Sequence, residues 1–138
     1  MLALPSRSAF ADKGELAAGG GVIGGYPKAI GGELGGRLGI GDFLALDVRA
    51  GGGGGSRGFG YGEAGVVALF DVLTWVPEAR LAAGAEMHRD GLSPIVQATL
   101  GLRRYLTADL SLALEGGAAW TPGEWRGTAA LGLWLAFL

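Results

Sequence analysis

The stretch Leu110-Ser111-Leu112-Ala113-Leu114-Glu115-Gly116-Gly117-Ala118-Ala119-Trp120 decides how this chain is read. Leu110, Leu112, Leu114, Gly116, Ala118 and Trp120 share one face, and Ser111, Ala113, Glu115, Gly117 and Ala119 share the other. A period of two held over this length marks a β-strand whose two faces meet different surroundings.

The same period recurs on both sides of this stretch. Over residues 127–138, Ala129, Leu131, Leu133, Leu135 and Phe137 lie opposite Thr128, Ala130, Gly132, Trp134 and Ala136. Over 95–106, Val96, Ala98, Leu100, Leu102 and Leu106 oppose Gln97, Thr99, Gly101, Arg103 and Tyr105. Over 78–88, Ala79, Leu81, Ala83, Ala85 and Met87 oppose Glu78, Arg80, Ala82, Gly84, Glu86 and His88. The first half is richer in glycine but alternates too. Leu16, Ala18, Val22 and Tyr26 oppose Glu15, while Ile30, Leu34, Leu38 and Ile40 oppose Glu33 and Arg37. Leu44, Leu46, Val48 and Ala50 oppose Asp47 and Arg49, while Ala64, Val66, Ala68, Phe70 and Val72 oppose Tyr61, Glu63 and Gly65.

These are about eight segments, each close to the roughly 9–11 residues of a tilted membrane strand. The breaks between them carry turn chemistry: Tyr26-Pro27-Lys28, Gly41-Asp42-Phe43, residues 51–60, residues 73–77, Arg89-Asp90-Gly91, Thr107-Ala108-Asp109 and Thr121-Pro122-Gly123. Short breaks between successive strands predict an all-β, up-and-down antiparallel barrel spanning 14–138. A helical period would mix Glu33, Arg37 and the glycines into the apolar stripe. Glycine at this density would also cost a helix about 1 kcal/mol per residue relative to alanine.

Composition excludes several function classes. The 138 residues suffice for one domain, and 29 of them are glycine, against an ordinary share of roughly 7%. A net charge of -2 gives no basic face for nucleic acid. Without cysteine there are no disulfides, thiolate metal sites or cysteine nucleophiles, and the single histidine, His88, cannot build a multi-histidine metal site. No cofactor or metal is expected. Serines are few beside that one histidine, so a Ser/His/Asp catalytic site is not supported and the chain reads as a non-enzyme. The glycine run 51–55 lacks the Gly-Lys-Ser/Thr that completes a phosphate-binding loop, and it reads as a flexible loop. No apolar run reaches the roughly 20 residues of a membrane helix, so a membrane reading requires a closed barrel.

Charge decides which face points inward. The polar face carries Glu15, Glu33, Arg37, Asp47, Arg49, Glu63, Asp71, Glu78, Arg80, Glu86, Arg103 and Glu115, and the apolar face carries only Arg104. An eight-stranded lumen is just wide enough to be filled by side chains. Glycine and alanine leave room there for a few large polar groups, so the bulky side chains face outward. Leu34, Leu46, Phe70, Leu81, Leu100, Leu112 and Leu133 are then expected to meet lipid. Tyr26 and Trp120, with Trp125, form a girdle near the outer loops, and Phe43, Trp75 and Phe137 form one near the short turns. Arg104 lies two residues before a turn, from which its side chain can snorkel to the interface. The mixed charges of the lumen must pair, since an unpaired buried ion costs several kcal/mol. An arginine–carboxylate ladder is expected, read either as a plug or as an ion path. Trp134 reads as lumen filler, and His88 as a partly wet residue at a strand end.

The segment Leu100-Gly101-Leu102-Arg103-Arg104-Tyr105-Leu106-Thr107-Ala108-Asp109-Leu110-Ser111-Leu112 resembles the penultimate hairpin of the small eight-stranded outer-membrane barrels of the OmpA/OmpX kind, within the broader outer membrane protein β-barrel domains. Gly132-Leu133-Trp134-Leu135-Ala136-Phe137-Leu138 resembles their closing strand. The resemblance implies a bacterial outer membrane as location, export through the periplasm, and the barrel-assembly machinery as a partner during insertion. Ala9-Phe10-Ala11 before Asp12-Lys13 resembles a signal-peptidase site, so residues 1–13 read as a tail or signal-peptide remnant. The expected role is structural or interactive, with a possible protein partner in an envelope assembly. A narrow channel for ions or small solutes, or a soluble ligand-binding barrel, are the alternatives.

Overall fold

A computed structural model describes the backbone of residues 14–23, 29–40, 43–55, 58–70 and 74–137, and the side chains of 30–40, 43–54, 58–70 and 74–136. The expected positions Tyr26 and Asp71, and the side chains of Glu15 and Phe137, lie outside the described residues.

The alternating segments form eight strands: β1 (Gly14–Ile23), β2 (Ala29–Gly39), β3 (Leu44–Gly55), β4 (Phe59–Leu69), β5 (Trp75–His88), β6 (Gly91–Tyr105), β7 (Leu110–Thr121) and β8 (Glu124–Phe137). Each pairs antiparallel with its neighbour in sequence, and β1 pairs with β8, so the sheet closes on itself. Closure satisfies the backbone donors and acceptors that an open sheet leaves at its edges. The start of β1 and the end of β8 meet at one rim, where Gly14 lies opposite Phe137. We call this the terminal end and the opposite rim the far end.

Four boundaries depart from the sequence reading. The glycine run is not a loop: β3 continues through Gly55, and Gly51 to Gly55 pair with β2. Neighbouring strands crowd this run closely. A Cβ on Gly51 would press the Tyr61 ring, and one on Gly53 would collide with the Ile30 carbonyl of β2. Glycine is what lets the strand continue. Secondly, residues 75–77 are strand, not break. Pro77 has no N–H to donate, but it sits near the start of β5, and its carbonyl accepts from Phe70 N at 3.0 Å. Thirdly, β6 begins at Gly91, so a two-residue turn, Arg89-Asp90, joins it to β5. Finally, β8 begins at Glu124, directly after Pro122-Gly123. Gly123 has a φ of 85°, which a preceding proline and a glycine at the second turn position supply without strain. The two-residue connections therefore sit at the far end, not at the terminal end where the sequence reading placed the short turns.

The two faces are strongly unlike. Ile30, Leu34, Leu38, Leu46, Phe70, Leu81, Leu100 and Leu133 are exposed on the outside, Leu100 to 73%. Leu112 is half-buried between its cross-strand neighbours Arg104 and Leu133. Of the expected girdle, Phe43 and Trp75 are exposed at the terminal end. At the far end Trp120 is half-buried opposite Trp125, which is 73% exposed. The interior is not polar throughout. Ala45, Val67, Leu69 and Val76 form a fully buried apolar cluster with Tyr105 against it, at the terminal end. Val67 and Leu69 point inward with Glu63, and the sequence reading of β4 did not name them.

Candidate functional site in the barrel lumen

The lumen side chains come from every strand whose side chains are described. On β3, the period of two sends Asp47 and Arg49 inward while Leu46, Val48 and Ala50 go outward. β2 supplies Glu33 and Arg37, β4 Tyr61 and Glu63, β5 Glu78, Arg80 and Glu86. β6 supplies Gln97 and Arg103, β7 Glu115, β8 Arg126 and Trp134. All the charged members except Glu33 are buried, and Asp47, Glu86 and Arg103 are fully so.

Asp47 is the hub of the waist. It accepts from Arg37 Nε at 2.9 Å, Arg49 Nε at 2.9 Å and Arg80 Nε at 2.6 Å. Arg49 then forks onto Glu115, donating through Nη1 at 2.6 Å and Nη2 at 2.8 Å, and its Nη1 also reaches Glu33 at 3.1 Å. This fork-to-fork geometry is the strong form of a charge-assisted bond. Arg37 Nη1 donates to Glu78 at 3.0 Å, and Arg103 Nε lies 3.3 Å from the same carboxylate. Arg80 Nη1 lies 2.8 Å from Glu63. With its amide oriented so that both neighbours are satisfied, Gln97 donates to Glu63 at 3.0 and 3.1 Å and accepts from the Thr128 hydroxyl at 3.2 Å. Tyr61 closes the edge of the lattice by donating its hydroxyl to Glu33.

Trp134 is more than filler. The guanidinium carbons of Arg37, Arg103 and Arg49 stand 4.2, 5.1 and 5.3 Å from its ring centroid. The indole thus offers a π-face to three cations whose in-plane donors are directed at carboxylates.

A separate cluster sits nearer the far end. Arg126 donates through both terminal nitrogens to the two oxygens of Glu86, and His88 Nε2 lies 2.5 Å from the same carboxylate. Arg126 was absent from the sequence reading, which began the last strand at residue 127. Stepping the Thr128, Ala130, Gly132, Trp134 face back by two residues finds it. Between the waist and this cluster lies a cavity of about 40 Å³, lined by Glu33, Tyr61, Gln97, Thr128 and Ile95 among others. That is room for about one or two waters at most.

Of the charged positions expected in the lumen, Glu33, Arg37, Asp47, Arg49, Glu63, Arg80, Arg103 and Glu115, with Glu78, are brought into one lattice, while Glu86 is set apart from it. Among the described residues no group of His, Cys, Asp and Glu could hold a metal ion. The arrangement can pair charges, fix the barrel's cross-section and exclude bulk water.

No protein-family model matches the sequence, and no curated protein is similar to it. Solved structures are similar in fold. The N-terminal β-barrel domain of Pseudomonas aeruginosa OprF aligns with a TM-score of 0.71 at 16% identity, over 91% of this chain and 98% of that one. Neisserial surface protein A aligns with a TM-score of 0.66 at 15% identity, over 91% and 96%. A de novo designed transmembrane β-barrel aligns with a TM-score of 0.65 at 21% identity, over 89% and 95%. The chain has the fold of the small transmembrane β-barrels.

Proposed function

We propose that this chain is a bacterial outer-membrane barrel of the OmpA/OmpX kind with a structural or interaction role, its lumen plugged by arginine–carboxylate pairs. The inversion of its faces carries the reading. Large apolar side chains cover the outside, while the lumen holds buried charges. In water that arrangement would leave a continuous apolar belt exposed, whereas in a bilayer the belt is solvated by lipid. Residues 14–138 form the membrane domain, and 1–13 are a tail or signal-peptide remnant. The barrel is exported through the periplasm and inserted with the help of the barrel-assembly machinery. The role is non-catalytic. Connections as short as Arg89-Asp90 and Pro122-Gly123 offer little loop surface, so a partner in a larger envelope assembly would meet the barrel wall or rim.

The test is a gel of detergent-refolded protein, boiled against unboiled, with circular dichroism. A migration shift with a β-rich spectrum supports the reading, and a monodisperse chain in plain buffer sinks it. A narrow channel is the second reading, favoured by the charged side chains that line the lumen. Conductance steps in a planar bilayer would establish it, and silence across salt and voltage would leave the plug.

A further inference from the structure

The outer face carries one strand charge among the described residues, Arg104 at the terminal end of β6. It is exposed, and its guanidinium lies over the ring of Trp75 on β5, 5.3 Å from the centroid. Further along the same outward row of β6 the wall is hollow. A groove of about 530 Å³ crosses β3 to β7, with Ala68, Ala79, Ala98, Gly116 and Ala118 as its floor and Leu44, Leu81 and Leu100 among its walls. Leu102 and Pro77, opposite each other, form the surface between the cation and the groove.

Resting on the membrane reading above, we propose that Arg104, Trp75 and this groove form a binding site for one anionic diacyl phospholipid. The phosphate pairs with Arg104, and one acyl chain passes over Leu102 and Pro77 into the groove. The spacing suits such a ligand. Arg104 and Leu100 are four residues apart, about 13 Å along the strand. At a barrel tilt of about 40° this is roughly 10 Å of depth. Half of a bilayer's hydrocarbon core is about 15 Å, so a headgroup at Arg104 places the middle of its chain at the groove. Charge selects the occupant. A cation beside an aromatic ring at the water boundary complements a phosphate. The groove beyond it is lined mainly by aliphatic side chains and suits a hydrocarbon chain. Stacking on Trp75 holds the guanidinium at the wall, where that phosphate would lie.

The experiment is native mass spectrometry of the full chain refolded in detergent and titrated with palmitoyl-oleoyl phosphatidylglycerol or, separately, phosphatidylcholine. The expected result is one retained phosphatidylglycerol per barrel, in preference to phosphatidylcholine. Arg104→Gln should lower its apparent affinity about fivefold, the effect of one cation at an anionic lipid surface. Ala98→Trp, which fills the groove and leaves Arg104 in place, should reduce retention of both lipids. Each variant is checked for the heat-dependent gel shift, so misfolding is read separately. Equal retention by the parent chain and Arg104→Gln overturns the site. A two-chain mass in place of the lipid adduct assigns the groove to a second copy and also overturns it. Absence of the gel shift in the parent chain removes the membrane reading itself, a different failure from a folded barrel without lipid preference.

Discussion

The waist of the lumen and the cluster nearer its far end use the same chemistry with different connectivity. At the waist, Asp47 receives three arginines, two of which go on to Glu78, Glu115 and Glu33, and the third to Glu63. At the far-end cluster, Glu86 receives Arg126 and His88, and neither is bonded to a second lumen carboxylate among the contacts described above. The waist is therefore a lattice in which each group orients several others, and the far-end cluster is a clasp between β5 and β8. Burial separates them further. His88 keeps 29% of its side chain exposed, whereas the three arginines on Asp47 keep 4% or less. Loss of the shared carboxylate can be answered by water at His88; at the three waist arginines it cannot.

The largest effect should come from removing the hub. Asp47→Leu leaves Arg37, Arg49 and Arg80 facing one another without their shared counter-ion. Breaking a buried pair by deleting one side costs about 3–5 kcal/mol. Urea unfolding of the barrel refolded into lipid vesicles measures it, and a loss below about 1 kcal/mol would break the claim that the waist is a connected lattice. The corresponding change in the far-end cluster, Glu86→Gln, keeps an acceptor for Arg126 and leaves His88 able to hydrate. A loss of about 2 kcal/mol is expected, in the range of bonds to charged groups. If Glu86→Gln costs as much as Asp47→Leu, exposure is not what distinguishes the two regions.

A double-mutant cycle sharpens the comparison. Asp47 and Glu115 are joined through Arg49, so Asp47→Leu and Glu115→Gln should deviate from additivity by about 0.5–3 kcal/mol. Asp47 and Glu86 have no partner in common among the contacts described above, and their changes should add to within about 0.5 kcal/mol. Strong coupling between Asp47 and Glu86 would mean that the cavity between them transmits strain, and the lumen would then be one network.

The sequence made the faces of the barrel legible because strand period is local. Once Leu112 is outward, Ala113 and Glu115 must be inward, whatever the rest of the chain does. Pairing partners inside the lumen were not legible, because they depend on how the closed sheet staggers. Arg37 meets Glu78, forty-one residues away, across the barrel and not along a hairpin. Two outright misreadings have separate causes. Residues 51–55 lack apolar residues to alternate, so their strand character is visible only against the crowding from Tyr61 and β2. Arg126 escapes the sequence reading because that reading starts the last strand at residue 127, whereas β8 begins at Glu124 directly after the two-residue turn. Val67 and Leu69 were missed for a different reason. A polar-lumen rule has no place for the apolar cluster that closes the terminal end.

The smallest expected effect tests Trp134, which belongs to the waist and has no equivalent at the far-end cluster. Its ring contributes through its π-face, since Arg37, Arg49 and Arg103 all lie within 5.3 Å of the centroid. Trp134→Phe keeps an aromatic face but a weaker one, and should cost about 0.5–1 kcal/mol, the scale of a single cation–π contact. Trp134→Leu removes the face altogether while retaining apolar bulk, and should cost visibly more. The midpoint of urea unfolding should move in both variants while its slope stays constant, since the surface exposed on unfolding hardly changes. Equal losses for phenylalanine and leucine would reduce Trp134 to the filler it first resembled. The waist lattice would then be held by its carboxylates alone, and the contrast with the far-end cluster would rest wholly on connectivity.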